Sequence, residues 1–243
     1  MSEEINKVAQ SIIDAHGGIE QWRTFREVRA DLIQGGALWG LKGQSGVLDR
    51  TRVSVATDRQ WASHAPFATV AARSEFTGDR IALLDDSGRV IEAQAQPREL
   101  FAGHTLETPW NALQLAFFAG CAMWTYLNSP FLLAFDGVEC EDVGSWSEQG
   151  ERWRKIRVVY PATLEVFSKV QAMYVGPDNL IRRLDYDVEI AGNTPGAHYV
   201  SDYVTVSGVR VPMRRRIYPR MPDGTSISEP LVVSIDLENI EFL

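Results

Sequence analysis

From Thr108 to Phe135 the chain reads TPWNALQLAFFAGCAMWTYLNSPFLLAF, with no charged residue between Glu107 and Asp136. Such a segment must leave water, either by crossing a membrane or by lying in a protein core. A spanning helix needs roughly 20 predominantly apolar residues. The apolar stretch from Ala112 to Leu127 is shorter, is interrupted by Gln114 and Gly120, and ends at Asn128-Ser129-Pro130. Lys and Arg do not cluster at its flanks, so the usual orientation signal is missing. Thr108 can cap a helix and Pro109 suits its first position. These features predict a buried helix, apolar all round, and no membrane span. Trp110, Phe117, Phe118, Trp124 and Phe131 give it bulk, while Ala116, Ala119, Gly120 and Ala122 let other chain approach closely.

The surroundings of that helix should be strands. Residues 3–15 read as an amphipathic helix, with Ile5, Val8, Ile12 and Ile13 near one face, and Gly17-Gly18 stops it. A second short helix is placed around 19–24. Period-two segments follow at Val28 to Ile33, Gly46 to Ala56, Arg59 to Ser63, 75–84 and 89–96, the last two joined by Asp85-Asp86-Ser87-Gly88 as a hairpin. After the apolar helix, strands are expected near 138–143, 152–160, 165–175, 180–189, 198–206, 209–218 and 231–242, with turn residues between them. Short turns at this spacing favour an antiparallel sheet. The predicted fold class is α+β: one large curved antiparallel sheet, a half-barrel, wrapped around the mid-chain helix, with an N-terminal helix. One domain over 1–243 is the simpler reading.

Composition removes several function classes. The chain has 243 residues and a net charge of −8 with no long basic run, so nucleic acid is not an expected partner. Met1-Ser2-Glu3-Glu4 lacks the basic and apolar regions of a secretory signal, which makes the cytoplasm the expected location. Cys121 and Cys140 make no disulfide framework. His16, His64, His104 and His198 are scattered without metal-ligand spacing, so neither a metal nor a cofactor is expected. Gly40, Gly43 and Gly46 do not match the dinucleotide fingerprint and read as a glycine-rich turn.

The order of elements resembles the bacterial lipoprotein carrier and lipoprotein-like superfamily, the LolA/LppX group. The closing strands carry most of the likeness: Gln171-Ala172-Met173-Tyr174, Leu180 to Tyr186, and Ser201-Asp202-Tyr203-Val204-Thr205-Val206-Ser207-Gly208-Val209-Arg210-Val211-Pro212-Met213. The resemblance covers most of the chain as a pattern and the C-terminal third as a motif. It implies a half-barrel whose helices cover an apolar concavity, here in a non-secreted member. Proteins of that fold mostly hold acyl chains or other apolar molecules, and one similar enzyme of pigment biosynthesis works without a cofactor.

Strand parity places a polar patch on the inner face. In 180–190, Leu184, Tyr186, Val188 and Ile190 share one face, and Arg183, Asp185, Asp187 and Glu189 share the other, which should be solvent. In 198–206, His198 and Asp202 share parity with the apolar set Val200, Val204 and Val206. Arg215 shares parity with Val209, Val211, Met213 and Ile217. A Ser207-Gly208 turn sets Val206 opposite Val209, Asp202 opposite Met213 and Val200 opposite Arg215. Arg215 then lies diagonal to Asp202, roughly 7–8 Å away at the backbone. The expectation is a buried Asp202–Arg215 pair with Tyr186 and His198 nearby.

The candidate ligand-binding set is therefore Tyr186, His198, Asp202 and Arg215 as polar anchor, with Trp124 and Phe117 as apolar wall and His104 at the pocket mouth. The expected partner is an apolar small molecule or lipid, held as an acyl-chain or small-molecule binding protein. Two alternatives accompany it: a cofactor-free enzyme using the same polar centre on a hydrophobic intermediate, and a structural module whose helix fills the concavity.

Overall fold

The computed structural model describes residues 6–67 and 71–243. Its strands are β1 (Glu27–Gly35), β2 (Arg50–Ala56), β3 (Trp61–Ala65), β4 (Arg73–Thr77), β5 (Arg80–Leu84), β6 (Val90–Ala95), β7 (Glu139–Glu148), β8 (Glu151–Val159), β9 (Val170–Val175), β10 (Ile181–Val188), β11 (Thr194–Val206), β12 (Val209–Pro219) and β13 (Val233–Phe242). They form one 13-stranded sheet in the order β6-β5-β4-β3-β2-β1-β13-β12-β11-β10-β9-β8-β7. Each neighbouring pair is antiparallel, as short turns require. The first and last strands meet in the middle, with Leu32 opposite Leu237.

Most expected strands appear near their predicted places. Two differ for local reasons. The run 75–84 is two strands, because Gly78-Asp79 turns the chain and sets Thr77 opposite Arg80. The glycine-rich stretch holds a short helix, α3 (Ala37–Leu41), which buries Leu38 and Trp39. Ser207 (φ 49°) and Gly208 (φ 82°) make the two-residue turn in a left-handed conformation, and Val206 pairs with Val209 as read from the sequence.

The N-terminal helix is α1 (Lys7–Ala15), and residues 3–5 of the expected helix lie outside the described residues. Asn6 caps it, its Oδ1 accepting from the Val8 N–H at 2.8 Å. The short α2 (Ile19–Trp22) follows after Gly17, where φ is +119° and a Cβ would sit 2.4 Å from the Gly208 carbonyl oxygen. A side chain at Gly17 would lift the helix exit off the β11–β12 turn.

The uncharged segment forms α4 (Ala112–Asn128), and every residue from Leu113 to Asn128 is buried. No helix of the described residues is long and apolar enough to cross a membrane. The cap differs from expectation. Asn111 Oδ1 accepts from the Gln114 N–H at 2.9 Å, and Gln114 Oε1 accepts from the Asn111 N–H at 2.8 Å, a reciprocal capping box. Thr108 and Pro109 stay outside the helix because Lys42 holds the chain before it in a turn, its ammonium donating to the Thr105, Leu106 and Thr108 carbonyls.

The two faces of α4 meet the sheet differently. Phe117, Gly120 and Trp124 face the β2–β6 half. A Cβ at Gly120 would lie 2.5 Å from Phe76 Cβ, so that contact needs glycine. The Phe117 and Phe76 rings pack edge to face at 5.8 Å, and Trp124 Nε1 donates to the Arg59 carbonyl at 2.8 Å. On the opposite face Ala119, Ala122, Met123 and Tyr126, at i, i+3, i+4 and i+7, look toward residues of β10, β12 and β13 across a gap.

Candidate functional site

That gap is an apolar cavity between α4, the seam of β1 and β13, and the 188–194 connection. Its volume is about 60 Å³. Trp39, Trp110, Phe118 and Ile235 are among its walls, and Tyr126 and Tyr186 close one end. Small residues on α4 create the space: Ala119 and Ala122 sit where larger side chains would fill it.

A polar chain continues from the two tyrosines into the core. Tyr126 and Tyr186 hydroxyls are 2.5 Å apart, and the Tyr186 hydroxyl lies 3.4 Å from His198 Nδ1. His198 is fully buried, and desolvation with the nearby Arg215 charge holds its imidazole well below the ordinary value, hence neutral. Its Nε2 has no partner. Burial pushes the Tyr126 hydroxyl up to about 12, so both hydroxyls stay protonated at neutral pH.

Arg215 lies behind Tyr126 and is 2 % exposed. Its Nη2 donates to the Tyr126 carbonyl at 3.0 Å, and its guanidinium stands 5.2 Å from the Tyr126 ring centroid. That carbonyl is free for a structural reason. Its helical partner would be the N–H four residues on, and residue 130 is proline. The groups that act on the Arg215 charge are the hydroxyls of Tyr203, Tyr126 and Tyr186, with no carboxylate among them, and desolvation depresses its basicity.

The expected Asp202–Arg215 pair does not form. The strand register is as predicted, with Val200 opposite Arg215, but Asp202 takes φ +58°, which turns its side chain out of the pleat. Its carboxylate is exposed and pairs with Arg214 at 3.0 Å. The inward position passes to Tyr203, whose hydroxyl donates to the Ile181 carbonyl at 2.9 Å and whose ring lies edge-on to His16. Val204, expected inside, is exposed. The outward turn of Asp202 also removes it from His198, beside which no carboxylate lies among the described residues.

The remaining candidates divide by face. Tyr186 lines the cavity, while Phe117 and Trp124 pack on the opposite side of α4 and form core rather than wall. His104 packs on Phe101 at 5.5 Å, with its Nε2 3.4 Å from Gln114 Nε2, and does not line the cavity. Residues that sequence parity did not single out supply the rest of the wall: Gln34, Leu38, Trp39, Leu106 and Trp110. Only Trp110, by its bulk beside the apolar run, was visible beforehand. Among the described residues no group of acidic, His and Cys side chains could hold a metal ion.

The outer face of β10 also departs from expectation. Arg183 and Asp185 are buried rather than solvated, because the chain after β12 folds back over them. Arg183 donates to both Asp185 oxygens at 2.6 and 2.9 Å, to Glu148 at 2.9 Å and to the Gly224 carbonyl at 2.6 Å. The rings of Trp146, Tyr174 and Tyr199 surround its guanidinium at 5.8, 5.0 and 5.3 Å. Among the described residues, Arg183, Asp185 and Glu148 all find their polar partners within this cluster.

No family model matches the chain. No curated protein matches it either. Solved structures do. A DUF1329 family protein from Desulfovibrio piger superposes with a TM-score of 0.50 at 10 % identity, over 98 % of this chain and 92 % of that one. A LolA superfamily protein from Nitrosomonas europaea gives 0.47 at 12 % identity, over 96 % and 92 %. At such identities the likeness concerns architecture alone. A long antiparallel sheet with a buried mid-chain helix, the architecture expected from the sequence, is shared with the Desulfovibrio piger protein.

Proposed function

We propose that this chain binds a small apolar molecule between α4 and the inner face of its sheet. The observation that carries the reading is the cavity itself, which lies on one face of a helix whose other face is in tight contact with the sheet. Core packing normally leaves few voids larger than a water molecule. A space bounded by apolar and aromatic walls, with a few polar groups at its ends, is the usual form of a ligand site.

The size limits the ligand. About 60 Å³ is the space of roughly two water molecules in the liquid. A long acyl chain therefore requires α4 and the seam of β1 and β13 to part, whereas a short apolar group fits with side-chain adjustment. The same small size favours, as a second reading, a structural module whose helix fills the concavity.

Calorimetric titration with short alkanols and alkanes separates the two. Saturable binding that Ala122→Phe and Ala191→Leu both abolish, with folding retained by circular dichroism, supports the ligand reading. Absence of heat and of any thermal shift for the wild-type protein across the series supports the filled module.

A further inference from the structure

We propose that the ligand carries an anionic acceptor head, a carboxylate on a short apolar tail, rather than being a hydrocarbon or a neutral alcohol or ester. The inference rests on the cavity being a ligand site and adds the chemistry of the ligand's polar end.

The first observation is an imbalance of hydrogen-bonding groups. Gln34 and Trp110 both line the cavity, both are at least nine-tenths buried, and Gln34 Nε2 and Trp110 Nε1 have no partner. Deeper in the same core, His198 Nε2 and Arg215 Nε are also unpartnered. Among the described residues, the unmet side-chain groups in the cavity wall itself, Gln34 Nε2 and Trp110 Nε1, are both N–H donors. An unsatisfied buried donor costs about 1–3 kcal/mol, and only an acceptor can relieve it.

The second observation is charge. Two cations are buried beside this space. Lys42 Nζ lies 4.6 Å from the centroid of the Trp110 ring and is held by three backbone carbonyls. Arg215 lies against Tyr126 at the other end. Among the described residues, neither forms an ion pair with a carboxylate, and the field of Glu107 reaches Lys42 only from the exposed loop. Buried charges are ordinarily paired, because an isolated one costs several kcal/mol. Unmet N–H groups in the wall, with one buried cation behind Trp110 and another behind Tyr126, favour an acceptor that carries negative charge. A carboxylate supplies both acceptor atoms and the missing charge, and its tail fits the remaining apolar wall.

The test compares butanoate, 1-butanol and methyl butanoate by calorimetry at pH 7. Butanoate is expected to bind at least tenfold more tightly than the alcohol or the ester. Gln34→Leu and Trp110→Phe should each narrow that ratio at least threefold. The wild-type series decides the matter even if a variant fails to fold. Equal affinities for acid, alcohol and ester would overturn the anionic head while leaving the apolar site in place. Binding of none of the three would overturn the site and this inference together.

Discussion

Two arginines, Arg183 on β10 and Arg215 on β12, are almost completely buried on opposite faces of the same sheet, and their surroundings are opposite in kind. Arg183 has a bidentate carboxylate, a second carboxylate, a backbone carbonyl and three aromatic rings. Arg215 has one backbone carbonyl and one ring. The first cluster is closed: each member is used by another, and nothing in it calls for a further molecule. The second is open, with donors left over beside a cavity. A buried charge alone does not mark a functional site. What separates scaffold from site here is whether the charge is already answered.

The largest test of that contrast is Arg183→Met. It takes the guanidinium from Asp185, which keeps Tyr174 and Arg220, and from Glu148, which keeps Trp146 and Tyr199; breaking a buried pair costs about 3–5 kcal/mol. Urea unfolding should show a loss of that order, and a loss under about 1 kcal/mol would show the cluster to be wet rather than closed. Acid should act next, and on other groups. Burial lowers His16 and His64 from 6.5 to about 4, and lowers His198 in the same direction. A depressed folded value means the neutral ring is favoured by folding. That stability is full above pH 6.5 and is lost as pH falls from 6.5 toward 4. At pH 5 the loss is about 2 kcal/mol for each of His16 and His64. Asp185, raised by desolvation, has the opposite sign and offsets the loss only at lower pH. Stability that stays flat from pH 7 to pH 5 would contradict the buried neutral rings.

Arg215→Met should do little to the ligand-free protein. It removes one hydrogen bond and also a desolvated, unpaired cation, two effects of opposite sign, so the change in unfolding free energy is expected to stay within about 1 kcal/mol. A loss equal to that of Arg183→Met would erase the contrast. An effect of the same order belongs to Tyr126→Phe, which breaks the hydroxyl chain to Tyr186 at a cost of about 0.5–1.5 kcal/mol. Measured in the Arg215→Met background, the same change reports whether ring and guanidinium are coupled.

Much of the scaffold was legible because its signals are local. Period-two runs and turn residues placed the meander, and Ser207-Gly208 alone fixed the register of β11 on β12. The uncharged run announced a buried helix. The site was less legible because it depends on departures from regularity and on distant chain. One left-handed residue, Asp202, expelled the expected counter-ion of Arg215. A returning segment near Gly224 covered a face of β10 that alternation assigned to solvent. Gln34 and Trp110 reach the cavity from elements that no period-two argument connects. Pro130 was visible as a helix stop, but that its missing N–H would free a carbonyl for Arg215 required the third dimension.

The meeting of β1 with β13 carries a consequence for how the molecule is made. Hairpins on either flank can zip from nearby sequence, but the central ladder joins positions some two hundred residues apart, such as Leu32 and Leu237. On a ribosome, the two flanks would wait as separate wings until the closing strand emerged. Gln34, Val233 and Ile235 bring the cavity onto that late join. An occupant would act as a rivet across it, and would guard the finished fold against reopening along the line where its assembly ended.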